Sequence, residues 1–175
     1  VLARAKALWQ PPDRPVTGAE FRVYRFNPPG TPNGRPVAFA SSERPGHEAR
    51  RAFDGSDTFW EAAPAAGTAG QFVGYDFGDR SRRAVAQVRV RWTKPSATPQ
   101  VIRIEYSDDG GAWRAAGRFA VAPADADAAD GRLDTFRLEP AEAHRFWRLV
   151  ADRNPADHRF AVAELYFTPD LSIPP

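Results

Sequence analysis

Between residues 36 and 168 the chain runs in short stretches of alternating apolar and polar residues, divided by Gly, Pro, Asp and Ser. A period of two marks a strand with one buried face, because successive side chains leave opposite sides of the backbone. In Val88-Arg89-Val90-Arg91-Trp92 the valines and the tryptophan share one face and the arginines the other, and Ile102, Ile104 and Tyr106 repeat the period. The pattern predicts strands over 37–41, 71–77, 85–92, 100–107, 113–121, 133–138, 145–151 and 159–167. Helical spacing is scarce, and 49–53 is the best candidate for a single turn. The expected fold is all-β: an antiparallel jelly-roll β-sandwich of about eight core strands, with loops gathered at its two ends. Trp60, Trp113 and Trp147 each lie in or beside an alternating run and are assigned to the interior. Arg89, Arg91 and Arg103 are read as one solvated face on adjacent strands, paired in part with Glu105.

Outside this pattern the chain changes character. Seven of its 17 prolines fall in residues 1–36, in clusters such as Pro11-Pro12 and Pro28-Pro29 that no helix or central strand accommodates. The expected organisation is a Pro-rich basic arm or linker over 1–35, with one short strand at 21–26, a sandwich over 36–168 and a tail over 169–175. Residues 1–36 hold six basic and two acidic residues, a net of +4, so 37–175 sum to −2 of the overall +2. A nearly neutral folded part lacks the cationic surplus that phosphate backbones require, and nucleic acid is not an expected partner.

Hydrophobic residues make up 42% of the 175, enough to fill one core. There is no cysteine, so disulfides and thiolate metal sites are excluded. No apolar run approaches the roughly 20 residues that cross a bilayer as a helix, and the opening VLARAKALW lacks the pattern of a signal peptide, so the chain reads as a piece of something longer. The catalytic inventory is thin. There are three histidines, no His-Glu-x-x-His, no Gly-x-Ser-x-Gly and no Gly-rich phosphate loop. Glu61 and Glu164 would serve as a hydrolase pair only across a cleft, about 5–9.5 Å apart, and a short-loop sandwich offers little cleft. The module itself is not expected to be an enzyme.

Five stretches carry a resemblance. They are residues 34–43 (GRPVAFASSE), 52–60 (AFDGSDTFW), 73–78 (VGYDFG), 104–113 (IEYSDDGGAW), and 145–149 (RFWRL) together with 163–167 (AELYF). In this order they resemble the factor V/VIII type C (discoidin) domains and the family 32 carbohydrate-binding modules, over roughly residues 34–168. The resemblance implies a galactose-binding-domain-like sandwich. It also implies a structural Ca2+ held by the Asp54 carboxylate, the carbonyls of Arg51 and Ser56, Thr58, and Glu164 with the carbonyl of Ala163, an oxygen set of the kind a hard cation takes. The loop 54–58 is one residue shorter than the family's spacing, which brings Asp57 forward as a replacement ligand. The other reading of Asp54-Gly55 is a tight turn.

Sugar-binding relatives present a ring to the apolar face of a sugar and polar side chains to its hydroxyls, from loops at one end of the sandwich. The resemblance points to Arg44, His47, Phe59, Glu61, Lys94, Arg153, Asn154 and His158. Glu61 stands where galactose-binding relatives commonly carry a His, and no arginine-bearing loop follows the strand ending at Trp92. The resemblance therefore implies a non-catalytic carbohydrate-binding accessory module of a larger glycan-processing or cell-surface protein, working extracellularly, at the cell surface or in the periplasm. The alternative is a structural or protein-interaction module packed on an adjoining domain without binding sugar.

Overall fold

The alternating runs become nine strands in the computed structural model, which describes residues 35–63, 70–93, 97–122, 131–139, 143–153 and 159–169. The proposed arm up to residue 34, with its strand at 21–26, and the tail from residue 170 lie outside the described residues. The strands are β1 (Val37–Ala40), β2 (Trp60–Glu61), β3 (Phe72–Asp76), β4 (Gln87–Trp92), β5 (Val101–Ser107), β6 (Arg114–Ala120), β7 (Leu133–Arg137), β8 (Phe146–Arg153) and β9 (Ala161–Thr168). A 3-10 turn at Ala49–Ala52 meets the single helical turn expected there. The strands form a five-stranded sheet in the order β1-β3-β8-β5-β6 and a four-stranded sheet in the order β2-β9-β4-β7. Every pairing is antiparallel, as the alternation requires.

The two sheets enclose one core. Tyr75, Ile102, Ile104, Trp147 and Leu149 enter it from the five-stranded sheet, and Trp60, Val88, Val90, Trp92, Val162 and Leu165 from the four-stranded one. Burial and the neighbouring Asp76 charge push the phenol of Tyr75 up to about 12, so it is neutral at every ordinary pH. Three sequence expectations need correction. Trp113 is not interior: it is half-buried on the outer face, beneath the guanidinium of Arg148 at 3.8 Å. Arg89 and Arg91 lie on β4 whereas Arg103 lies on β5, and these strands belong to opposite sheets, so the three arginines share no face. The segment around Trp60, read as loop, holds a two-residue strand paired to β9.

The outer face of the five-stranded sheet carries a second layer of contacts. Arg148 on β8 reaches the Glu105 carboxylate at 2.6 and 2.8 Å and lies over the rings of Phe72 and Trp113. Gly74 on β3 makes this layer possible. It pairs with Phe39 on one side and Arg148 on the other, and a Cβ there would meet the Trp147 carbonyl at 2.5 Å, Arg148 Cβ at 2.7 Å and Phe39 Cζ at 2.7 Å. One of those atoms is backbone in a central ladder and cannot yield. Gly74→Ala is expected to destabilise the domain by about 1–3 kcal/mol, the usual range for overpacking. The shift of the urea midpoint measures it.

Candidate functional site

One end of the sandwich is built by the turn at 44–47 and the short β2. Arg44-Pro45-Gly46-His47 closes with the His47 N–H donating to the Arg44 carbonyl at 2.8 Å. Pro45 pre-sets the first central position, and Gly46, at φ +82°, supplies the left-handed second one that a type II turn needs. The turn then docks on β2: the Arg44 N–H donates to the Glu61 carbonyl at 2.9 Å, and the Glu61 N–H to the His47 carbonyl at 3.3 Å. Beneath them Trp60 is fully buried, its indole N–H donating to the Ser42 carbonyl at 3.1 Å and its ring edge-on to Phe160. Glu48 steadies the turn from the other side, accepting the Gly46 N–H at 3.2 Å and the Arg51 Nε–H at 2.9 Å. The bond from Arg51 is the main reason its carboxyl falls to about 2.

Two groups of side chains result. His47 and Phe59 lie ring on ring, 4.2 Å between centroids. His47 Nδ1 stands 3.2 Å from the Phe59 carbonyl; a carbonyl only accepts, so the bond holds a proton on Nδ1 and, in the neutral ring, leaves Nε2 as an acceptor. Beside them Glu61, buried to 6% exposure, receives one arginine on each carboxylate oxygen: Arg44 Nη1 at 2.8 Å and Arg159 Nη1 at 3.0 Å. Both arginine side chains remain open to solvent, at 43% and 51% exposure. Burial pushes the Glu61 carboxyl up, but the bonds from Arg159 and Arg44 and their charges outweigh it and hold the group below 4.5.

That depression has a sign. A carboxyl with a lower pKa folded than unfolded adds stability above its unfolded value, and the contribution fades as pH falls through the folded one. The wild type is therefore expected to lose more stability than Glu61→Gln as pH drops below about 4.3. Urea unfolding from pH 6 down to about pH 3 compares the two slopes.

The structure thus brings together four of the residues singled out for ligand contact, Arg44, His47, Phe59 and Glu61. It adds Arg159, which the sequence reading had placed simply at the start of a strand. Arg153 is exposed at the end of β8, on the other sheet, where its carbonyl accepts the Gln100 N–H. Lys94, Asn154 and His158 lie outside the described residues. Trp92, which shares the Lys94 segment, is core, its indole N–H donating to Asp134 at 2.7 Å.

The Asp54 loop, to which the resemblance assigns Ca2+, is closed by its own hydrogen bonds. Asp54 Oδ1 accepts the Ser56 N–H and hydroxyl at 2.9 and 2.7 Å, and Oδ2 accepts the Thr58 hydroxyl at 2.9 Å. Arg51 lies one turn earlier, on the 3-10 turn. On β9 the pairing with β4 slips by one residue: Trp92 opposes Val162 and Arg91 opposes Glu164, so Ala163 is the extra residue of a bulge. The slip turns Glu164 to the face that Arg91 occupies, while Val162 stays in the core. Arg91 reaches this loop, donating from Nη2 to the Ser56 carbonyl at 2.7 Å with Nη1 3.9 Å from Asp57. The set does not fit a divalent ion as it stands, since one of its carbonyls holds a guanidinium and a second cation would have to sit against that charge.

The chain is thus a two-sheet antiparallel sandwich with a polar and aromatic cluster at one loop end. The sequence model of the F5/8 type C domain matches residues 37–165, and the chain belongs to this family. A search of curated protein sequences finds no match. Among solved structures, the chain is similar to CpGH89CBM32-5 from Clostridium perfringens, solved in complex with GalNAc-beta-1,3-galactose. The TM-score is 0.63 at 19% identity, covering 74% of this chain and 92% of that one. It is also similar to chitosan-binding module 1 from a chitosanase/glucanase of Paenibacillus sp. IK-5, with TM-score 0.60, 24% identity, and 76% and 94% of the two chains covered. A third is the CBM32 of AlyQ in complex with 4,5-unsaturated mannuronic acid, with TM-score 0.60, 17% identity, and 77% and 95% covered. At these identities the likeness establishes the fold. Among the described residues no helix is long and apolar enough to cross a membrane.

Proposed function

We propose that this chain is a non-catalytic carbohydrate-binding accessory module, which holds an attached protein against a glycan outside the cytoplasm. The observation that carries the reading is the cluster of Arg44, His47, Phe59, Glu61 and Arg159 at one loop end of a sandwich whose structural neighbours are carbohydrate-binding modules. The cluster has the parts a shallow sugar site uses: a ring for the apolar face of the sugar, and rigidly held donors and acceptors for hydroxyls. Its affinity per site is weak, and tethering to a second domain supplies the advantage through effective concentration. The cluster contains one carboxylate, already clamped by two guanidiniums, so it offers no acid and base pair for glycosidic cleavage. Binding to immobilised neutral, amino and acidic oligosaccharides tests the reading, with Phe59→Ala expected to weaken any signal. Silence across all three classes overturns it.

A second reading, docking on a neighbouring protein domain without sugar, draws on Glu61 standing where galactose-binding relatives carry a His. In that case the loop end with Arg44 and Phe59 is shielded in the parent protein, and appending the neighbouring domain protects it from hydrogen exchange.

A further inference from the structure

The Glu61 clamp carries a charge surplus. Two guanidiniums share one carboxylate, each using a single Nη1 on a single oxygen. An arginine has five N–H donors in a planar fork, so both retain donors beyond the bond to Glu61, on side chains about half exposed. Glu61 is buried beneath them and holds both in place. The pair therefore presents a fixed, net positive fork beside the His47–Phe59 ring stack. A preorganised guanidinium fork matches a carboxylate in a way no neutral hydroxyl does. Resting on the carbohydrate reading above, we infer that this site selects sugars bearing a carboxylate, that is, uronic acid residues of an acidic polysaccharide. The ring stack takes the pyranose face, and the outward N–H groups of Arg44 and Arg159 take the carboxylate.

The test uses tri-galacturonate, tri-mannuronate and a glucuronate-terminated disaccharide, each beside its carboxyl-reduced neutral counterpart, titrated calorimetrically into the full chain. At least one acid is expected to bind, with about tenfold or greater loss on reduction of its carboxyl and weakening as salt is raised. Arg44→Gln and Arg159→Gln should each shrink the difference between acid and neutral sugar; each leaves the buried Glu61 with a single guanidinium, so the titrations are run well below each variant's own melting temperature. Equal or better binding of the neutral sugars overturns this inference and leaves the carbohydrate reading standing. No binding to either class, in these titrations and on the neutral and amino sugars, overturns both.

A separate observation concerns Arg91. Its guanidinium ties the Ser56 carbonyl to β4 and stands near Asp57, and its strand position is directly opposite Glu164. It thereby joins the loop 54–58 to the sheet, the mechanical task that the family resemblance gives to a calcium ion. We infer that in this chain Arg91 does the work of that cation, and that the loop is held without metal. Thermal unfolding of the full chain is expected to give the same midpoint with millimolar calcium and with EDTA. Arg91→Gln is expected to melt a few degrees lower and to speed hydrogen exchange at the Ser56 and Thr58 amides while leaving the Ile104 and Leu149 amides protected. A midpoint that rises with calcium in the wild type, or an Arg91→Gln variant with wild-type exchange at Ser56 and Thr58, overturns the inference.

Discussion

Trp147→Ala is expected to cost about 3–5 kcal/mol, the usual range for emptying a buried aromatic site, against a total stability of about 5–15 kcal/mol for a domain of this kind. Trp147 is fully buried on β8, with strands on both sides of it in the five-stranded sheet. Its ring lies 5.5 Å from that of Tyr106 in its own sheet and 6.4 Å from that of Phe167, which belongs to the facing sheet. It is thus a bridge between the two layers as well as a volume. Its indole N–H also donates to the Arg83 carbonyl at 2.9 Å, fastening the segment before β4 to β8. Truncation leaves a cavity in the middle of a central strand, where neighbours paired on both sides cannot collapse into it, and removes one of that carbonyl's two donors, leaving the His144 N–H at 3.2 Å. Trp147→Phe should recover most of the packing and none of the hydrogen bond. Urea unfolding of the three proteins separates the two contributions.

How much of this was legible beforehand differs from element to element. The strands carrying Val88 to Trp92 and Ile102 to Tyr106 were visible because each keeps a period of two across its whole core face. Trp113 was misassigned because that period breaks beside it. The pairing of β5 with β6 shifts between Ile104 and Glu105: Gly117 opposes inward-facing Ile104, but Ala115 opposes outward-facing Glu105. One extra residue reverses the parity, so Phe119 packs inward while Trp113 faces out. The same device on β9 puts Val162 and Glu164 on opposite faces, although two residues apart they should share one. Bulges leave little mark in composition, and so Trp113 was assigned a face as if the period ran unbroken into β6. The site was half visible. Arg44, His47, Phe59 and Glu61 fell in loops next to family-like stretches. Arg159 was not visible, because its bond to Glu61 spans 98 residues and depends on how β9 lies against β2. The one local cue was a charged residue directly before the buried Phe160, at a junction of loop and strand.

Trp60→Ala is expected to be as costly, about 3–5 kcal/mol, but to fail differently. Trp60 is fully buried between Phe59 and Glu61, one residue from each, so its ring anchors from below the short strand whose flanks carry the candidate site. Its indole N–H holds the Ser42 carbonyl, two residues before Arg44, and its ring abuts Phe160, next to Arg159. One side chain therefore sets the relative positions of all three members of the Arg44–Glu61–Arg159 clamp. β2 is two residues long and lies at the edge of its sheet, so backbone pairing with Val162 and Ala161 alone is weak support. In conditions where the variant is still mostly folded, the clamp should loosen before the sheets separate. The expected signature is sugar binding lost in Trp60→Ala well below its unfolding transition, whereas Trp147→Ala, equally destabilised but remote from β2, retains wild-type binding until it unfolds. Parallel titrations of binding and near-UV circular dichroism against urea read both. Loss of binding that tracks global unfolding in both variants would mean that Trp60 contributes to stability alone.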